Sequence, residues 1–245
     1  ALIQAGASCG YFGGDPKQLI ADAGVLRPTI FGGVPRVWNK VYAKIQSAKK
    51  ESAIKNFLIS MAEKKKVTLV KKGICRNDTL WDKIVFKKIQ ALLGGRVRIA
   101  VTGAAPIKNE VMNCLRAALG CYVVEAYGQT ECNAAATGTA WGDPNPSIGA
   151  PIGSIAIKLA SVEEMNYHSK DDQGEICLKG PVLMKEYYNN PEKTAETIDK
   201  DGWLYTGDVG TYEGDFVKIV DLYFFVKPVK LVKLVVFRQT RCFFE

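Results

Sequence analysis

A short stretch of this 245-residue sequence, residues 127–131, combines side chains that could bind a nucleotide. Tyr127 offers an aromatic face for stacking, and Thr130 places a hydroxyl beside the carboxylate of Glu131. A carboxylate beside a phosphate repels it unless a cation lies between them. We therefore interpret the stretch as part of a site for adenine, phosphate and a divalent metal. An ordinary surface turn is the alternative for these five residues taken alone.

A second stretch, residues 102–106, has the sequence Thr-Gly-Ala-Ala-Pro. Gly103 and Ala104 carry so little side chain that a flat ring could approach the backbone there. Like the first stretch, it follows an apolar run that predicts a buried strand. We therefore expect it to contribute to the same ligand site.

The elements that must position both stretches are a strand, an amphipathic helix and a second strand. They are predicted at residues 97–101, 108–119 and 122–124. Two strands joined through a helix by short connections form a right-handed parallel crossover, so both loops should emerge at one carboxyl edge of a sheet. Ligands of open α/β sheets bind at that edge.

Asp208 is a further candidate because it follows Thr-Gly at a predicted strand end, where it could accept hydrogen bonds from two ribose hydroxyls. Two other reactive side chains are interpreted structurally. His168 lies in a polar loop without a catalytic partner at a meaningful spacing, which predicts a surface histidine. Cys132 has no neighbour that would make it a thiolate, so we interpret it as a packing residue.

The remaining sequence predicts an α/β half followed by a mainly β half. Three apolar stripes predict further helices. The first consists of Val37, Trp38, Val41, Tyr42 and Ile45, and the second of Ile54, Phe57, Leu58 and Met61. The third consists of Leu80, Trp81, Ile84, Val85, Ile89 and Leu92. From residue 149 onward, short alternating strands separated by Gly and Pro predict β structure. Asn190-Pro191 predicts the beginning of one helix within it.

The formal charge of +8 lies mostly in lysine runs at residues 64–66, 71–72 and 87–88. We interpret the runs as solvated helix faces that would favour anions or an anionic membrane surface. No RNA- or DNA-binding pattern accompanies them, so nucleic acid is not expected as a partner. Seven cysteines without paired spacing indicate free thiols in a reducing, intracellular compartment.

Three motifs, in this order, resemble the adenylate-forming superfamily of acyl-CoA synthetases, luciferases and peptide-synthetase adenylation domains. They are Thr-Gly-Ala-Ala-Pro at residues 102–106, Tyr-Gly-Gln-Thr-Glu at 127–131 and Tyr-Thr-Gly-Asp at 205–208. Within that superfamily, residues 92–98, 162–167 and 201–203 resemble eukaryotic long-chain fatty acid–CoA ligases. The likeness covers about residues 5–221.

The resemblance implies a role for each candidate residue. The implied nucleotide-binding residues are Gly103, Ala104, Glu125, Ala126, Tyr127, Gly128, Thr130 and Asp208. Among them, Thr130 would contact the α-phosphate and Asp208 the ribose. Adenine would be held by Gly103, Glu125, Ala126 and Tyr127. Glu131 would hold Mg²⁺, and Thr130 and Glu131 would be the catalytic residues.

The resemblance also implies an α/β fold with three parts. A parallel-sheet α/β subdomain with the adenylate-binding loops would cover residues 1–140, and a β-rich subdomain of the AMP-binding domain would cover 141–221. A tail outside the family would follow at 222–245. The superfamily's small C-terminal domain is expected to be absent.

The implied reaction converts ATP, a long-chain fatty acid and CoA into acyl-CoA, AMP and pyrophosphate through an acyl-adenylate. Such ligases face the cytosol from endoplasmic reticulum, mitochondrial outer or peroxisomal membranes, and the resemblance implies membrane association through a segment that is not in this sequence. The family's loop for the β- and γ-phosphates lies upstream of Ala1, and its hinge Arg and C-terminal Lys lie beyond Asp221. We therefore expect a partial copy that is inactive alone. A non-catalytic nucleotide- or acyl-binding fragment, or a regulatory one, is the alternative.

Overall fold

A computed structural model describes residues 6–139, 147–214, 216–222 and 232–234. Contacts divide the chain into two units, Ala1–Val124 and Glu125–Glu245. This division falls within the strand Tyr122–Tyr127. The boundary predicted after residue 140 lies outside the described residues and stays a prediction.

The first unit is an α/β unit. Its helices are α1 (Leu19–Leu26), α2 (Pro35–Lys50), α3 (Ala53–Val70), α4 (Lys87–Ala91) and α5 (Asn109–Leu119), with a π-helix at Asp82–Phe86. Its strands are β1 (Ile30–Gly32), β2 (Ile99–Gly103) and the first half of β3 (Tyr122–Tyr127). β1 and β2 pair in parallel, with Phe31 opposite Ala100. This pairing confirms the predicted fold class for this part of the chain.

Helix α5 packs its predicted apolar face into the core of the first unit. Leu115 of α5 and Trp38 of α2 are fully buried there. The helix ends at Gly120, whose φ of 59° is left-handed. A Cβ at Gly120 would lie 2.4 Å from the carbonyl oxygen of Arg76, so only glycine fits this helix end.

The apolar face predicted for α3 is wrong. Ile54 and Phe57 are 73% and 63% exposed, whereas a different face is buried, formed by Ile59, Ala62, Lys66 and Val70. This face includes Lys66, which belongs to a predicted solvated lysine run but forms a buried ion pair with Asp82 at 2.8 Å. Residues three and four apart share one helix face, so the face that carries Lys66 inward leaves Ile54 and Phe57 outside.

The stripe predicted over residues 80–92 is confirmed in part, because Trp81, Val85 and Ile89 pack against a buried cluster that includes Phe86. Leu80 and Ile84 are 65% and 61% exposed, while Asp82 and Phe86 are buried. One turn of π-helix, Asp82–Phe86, interrupts this segment. It adds a residue to the turn and rotates the following side chains by about 100° relative to a continuous α-helix.

The second unit is mainly β, as predicted. The second half of β3 pairs with β4 (Thr137–Gly138), and β4 pairs with β5 (Ala150–Pro151). A further antiparallel sheet contains β6 (Ala156–Ala160), β7 (Gln173–Lys179), β8 (Leu204–Glu213), β9 (Phe216–Leu222) and β10 (Val232–Leu234) in the order β10-β6-β7-β8-β9. Helix α6 (Pro191–Thr197) begins at the predicted cap, because the Asn190 side chain accepts from the Lys193 amide at 3.0 Å.

The predicted tail, residues 222–245, lies mostly outside the described residues. Its described part includes β10, which pairs antiparallel with β6 and places Lys233 opposite Leu159. In the described ranges, none of the helices combines the length and apolar character that crossing a bilayer requires. The six cysteines described are free thiols.

Candidate functional site

Strand β3 is longer than predicted and carries three candidate residues that the sequence places in a loop. Ala126 and Tyr127 pair antiparallel with Gly138 and Thr137 of β4. Glu125 exchanges two hydrogen bonds with Thr139: its amide donates to Oγ1 at 2.9 Å, and its carbonyl accepts from the Thr139 amide at 2.8 Å. The strand therefore continues through Tyr127 because β4 supplies it with a partner.

Tyr127 and Asp208 form a direct hydrogen bond, in which the Tyr127 hydroxyl donates to Asp208 Oδ2 at 2.6 Å. Tyr127 is 9% exposed and packs in the core of the second unit. Burial raises the pKa of its phenol, and the adjacent charge and hydrogen bond of Asp208 raise it further, so Tyr127 stays protonated as a donor. Burial also raises the pKa of Asp208, and the Tyr127 hydrogen bond partly opposes that rise.

Asp208 lies in a bulge within β8, and not at a strand end as predicted. Glu175 of β7 pairs with Val209 of β8, and Cys177 pairs with Tyr205. One residue separates the two paired positions on β7, whereas three residues, 206–208, separate them on β8. Gly207 in this bulge has a left-handed φ of 76°. Bulges re-aim side chains and occur often beside binding sites, and this one presents Asp208 to Tyr127.

Two anchors hold the bulge in place. The Thr206 hydroxyl donates to the Ile176 carbonyl at 2.8 Å, and the Gly207 amide donates to Glu175 Oε1 at 2.9 Å. Glu175 is 7% exposed. Burial raises its pKa to about 7, the Gly207 amide lowers it, and the charge of Asp208 raises it. The sequence does not indicate Glu175, because a single carboxylate in an apolar strand has no local pattern to mark it.

Thr130 and Glu131 begin a short 3₁₀ turn, Thr130–Cys132, directly after the loop that follows β3. Thr130 is exposed, and Glu131 is half-buried. Two residues far along the chain hold Glu131 in place. Its Oε1 accepts from the Tyr187 hydroxyl at 2.6 Å, and its carbonyl accepts from the Met184 amide at 2.7 Å. The sequence did not point to Tyr187, since its contact with Glu131 spans 56 residues.

Cys132 has the packing role that the sequence predicts. It is 1% exposed and belongs to the same core cluster as Tyr127. Its sulfur accepts from the Gln129 amide at 3.2 Å, which closes the turn.

Gly128 permits a close approach of backbone to backbone. A Cβ at this position would lie 2.1 Å from the Ala134 carbonyl oxygen and 2.8 Å from the Ala135 Cα. Both are backbone atoms, which move only if the loop moves. Gly128 therefore has a structural reason to be glycine, whatever it contacts in a ligand.

We expect Gly128→Ala to lower the free energy of unfolding by about 1–3 kcal/mol, because the added methyl group forces this loop apart. Urea denaturation measures the change. Gly32→Ala is the matched control, since nothing lies within 4 Å of a Cβ there and its φ is not left-handed. Equal stability of the two variants would contradict the close approach at Gly128.

The predicted loop of small residues, 102–106, lies in the first unit. β2 extends through Gly103, two residues beyond its predicted end. Ala104 follows with a left-handed φ of 67° and is exposed. The hydroxyl of Thr102 is buried and has no hydrogen-bond partner among the described residues. The roles predicted for Gly103 and Ala104 stay predictions.

Residues 1–188 of the chain match the AMP-binding enzyme family. Mouse long-chain-fatty-acid–CoA ligase 5 is 48% identical over 222 residues, which are 90% of this chain and 32% of the ligase. The peroxisomal long chain acyl-CoA synthetase 7 of Arabidopsis thaliana is 42% identical over 225 residues, which are 89% of this chain and 32% of the synthetase. The chain thus spans about a third of the length of these curated relatives.

The fold has counterparts among solved structures. The A-PCP didomain of carboxylic acid reductase from Segniliparus rugosus, in complex with AMP, matches with a TM-score of 0.59 and 26% sequence identity, over 84% of this chain and 25% of that one. Together with the family match over most of the sequence, this likeness confirms the resemblance that the three motifs indicate. The chain belongs to the AMP-binding enzyme family.

Proposed function

We propose that this chain contributes the nucleotide-holding part of an AMP-forming ligase that makes long-chain acyl-CoA. The observation that carries the proposal is the pairing of the Tyr127 hydroxyl with the Asp208 carboxylate, 2.6 Å apart at a bulge of β8. A half-buried carboxylate held in one orientation is a fixed acceptor for two vicinal hydroxyls, such as those of ribose. The similarity to a long-chain-fatty-acid–CoA ligase supports the substrate class.

In the proposed reaction, a carboxylate oxygen of the fatty acid attacks the α-phosphorus of ATP. The acyl-adenylate forms, and pyrophosphate leaves. The thiol of CoA then attacks the acyl carbonyl carbon, loses its proton, and displaces AMP to give the thioester. Because the reactants supply all the covalent chemistry, the protein acts by positioning them and by stabilising charge.

We assign roles in the second unit as follows. Asp208 accepts hydrogen bonds from the ribose, and Tyr127 fixes the orientation of that carboxylate by donating to it. Thr130 contacts the α-phosphate from its exposed position. Glu125, Ala126 and Gly128 lie beside the adenine. Their shared support is β3 and the turn that follows it.

The chemistry of Glu131 fits a magnesium ligand whose remaining partners are phosphate oxygens and water. Mg²⁺ is usually bound by one or two carboxylates together with substrate phosphates. Glu131 supplies one carboxylate, and the described part of the chain contains no cluster of three or more side chains able to bind a metal on their own. Bound there, the ion would neutralise charge that develops on the phosphates.

We expect Asp208→Asn to weaken AMP binding about tenfold or more, because a charged acceptor of the ribose hydroxyls is lost. Tyr127→Phe should weaken it less, since the carboxylate stays while its orientation loosens. Isothermal titration calorimetry with AMP measures both. Phenylalanine is preferable to alanine at Tyr127, because removing a ring from this core would also create a cavity.

The controls are Asp171→Asn and Tyr167→Phe, which change the same groups elsewhere in the second unit. Asp171 is exposed, and Tyr167 forms a longer, exposed hydrogen bond of 3.4 Å to Asp221. Unchanged AMP affinity in both site variants would overturn the assignment. AMP binding without pyrophosphate exchange dependent on palmitate would favour the alternative, a non-catalytic nucleotide-binding fragment.

We further propose a cytosol-facing location on endoplasmic reticulum, mitochondrial outer or peroxisomal membranes. One relative carries a peroxisomal designation in its name. The surplus of 33 Lys and Arg over 25 Asp and Glu is compatible with an anionic membrane surface. The proposed function does not involve binding to nucleic acid.

A further inference from the structure

A cavity of about 520 Å³ opens on the first unit. Its wall includes Arg27, Asn77, Asp82, Lys83, Lys87 and Gln90. None of these residues belongs to the motifs that identify the family. The cavity therefore needs an account separate from that of the nucleotide site.

The charges of this cavity are unbalanced. Among the described residues, Asp82 is the only carboxylate in its wall, and both oxygens of Asp82 accept from Lys66 Nζ at 2.8 Å. Arg27, Lys83 and Lys87 have no carboxylate partner among the residues that the structure describes. With Asp82 neutralised by Lys66, three cations surround the cavity without a counter-charge.

The helix geometry brings two of these cations together. Lys83 lies in the π-helical turn, and Lys87 begins α4 four residues later. Like charges four residues apart on one helical segment repel each other and destabilise it. Both side chains are exposed, so they are free to converge on a ligand in the cavity. An anion between them would turn this repulsion into attraction.

Arg27 provides an independent observation. It ends α1 in a left-handed conformation with φ 51° and ψ 57°, where helices usually place glycine because an L side chain is strained there. The chain approaches Gly94 so closely at this point that a Cβ on Gly94 would lie 2.5 Å from the Arg27 Cα. The Arg27 Nε also donates to the Gly94 carbonyl at 3.3 Å, which holds the guanidinium at the wall of the cavity.

We propose that this cavity binds a ligand that carries two or more phosphate groups, with Arg27, Lys83 and Lys87 as its cationic contacts. Phosphate suits the site because guanidinium pairs with it in a bidentate manner and lysine binds it as a point charge. Asn77 adds an amide at the same wall. The phosphates belong either to a free polyphosphate or to the headgroup of a membrane lipid.

The test uses the full 245-residue chain and inorganic tripolyphosphate, with excess AMP present. We expect Lys83→Ala with Lys87→Ala to weaken tripolyphosphate binding by about tenfold or more, measured by calorimetry. Lys64→Ala with Lys65→Ala is the matched control, since it removes the same charge from exposed positions of α3 outside the cavity. Equal affinities for the two double variants would overturn the proposal.

Arg27→Gly separates a binding role from a structural one. Glycine relieves the left-handed strain but removes the hydrogen bond from Arg27 Nε to the Gly94 carbonyl, so this variant should keep a melting temperature close to that of the unchanged chain while binding tripolyphosphate more weakly. Unchanged affinity in the folded variant would show that Arg27 takes no part in binding and would contradict the proposal.

Vesicles distinguish the two sources of phosphate. Phosphatidylcholine vesicles that carry a phosphatidylinositol bisphosphate should retain the chain, and lose it on Lys83→Ala with Lys87→Ala, if the ligand is a lipid headgroup. Binding of tripolyphosphate without vesicle retention assigns the site to a free polyphosphate. Binding of neither probe would refute the site.

Discussion

Asp82→Asn is expected to lower the free energy of unfolding by about 3–5 kcal/mol, because it leaves a buried ammonium group without its counter-charge. Lys66 and Asp82 are each 2% exposed, and Lys66 donates to both carboxylate oxygens at 2.8 Å. The Thr79 amide and the Gln90 side chain also donate to Asp82, each at 2.9 Å. Asparagine keeps one oxygen acceptor but removes the charge and places an amide NH₂ among these donors, so the loss measured by urea denaturation combines both effects.

The matched control is Asp78→Asn, which breaks an exposed ion pair with Arg76 and should leave stability unchanged within error. Lys66→Met with Asp82→Asn completes a double-variant cycle. This combination should be less destabilising than the sum of the single changes, because neither charge is then buried alone. Strictly additive losses would contradict a direct pairing of Lys66 with Asp82.

Glu175→Gln is expected to flatten the dependence of stability on pH. Burial raises the pKa of Glu175 from 4.5 to about 7 in the folded protein. The folded protein therefore holds the Glu175 proton more tightly than the unfolded chain does. The resulting stabilisation is fully present below about pH 4.5 and is lost as pH rises through about 7. Above that range, the ionised carboxylate costs the folded state on the order of 3 kcal/mol. Glutamine is never ionised and still accepts from the Gly207 amide.

Denaturation curves at two pH values test this expectation. Near pH 8, Glu175→Gln should be more stable than the unchanged chain by about the cost just stated, and near pH 4.5 the two should be alike. Asp208 is present in both proteins, and its repulsion of the ionised Glu175 carboxylate is part of the cost that Glu175→Gln removes. Glu164→Gln, at an exposed position, is the control. A stability difference that does not change with pH would show that Glu175 acts only through its shape.

Local sequence patterns predicted the kinds of element well where one side of an element faces a single core. Helix α5 buries the stripe that its spacing predicts, and α6 begins at the predicted Asn190 cap. The α/β class, the β-rich second half and membership of the AMP-binding enzyme family are confirmed as well. These features depend on short-range spacing and on contiguous motifs, both of which are visible in the chain itself.

Strand limits were predicted less well, because a strand ends where its partner ends. Glu125, Ala126 and Tyr127 were placed in a loop, since nothing near them shows that Thr137 and Gly138 of β4 supply hydrogen bonds. The same holds for Asp208, whose bulge depends on its pairing with β7.

The sequence by itself determined the family, the order of the elements and the motif residues proposed to hold a nucleotide. Only the tertiary structure decided that Lys66 is buried, that Glu175 anchors the bulge carrying Asp208, and that Arg27 joins Lys83 and Lys87 around one cavity. The physical reason is that a buried polar group is stable only when another group supplies it with a hydrogen bond or a counter-charge. For Lys66 that group lies 16 residues away, and for the Glu175 carboxylate it lies 32 residues away, beyond the range of any local periodicity.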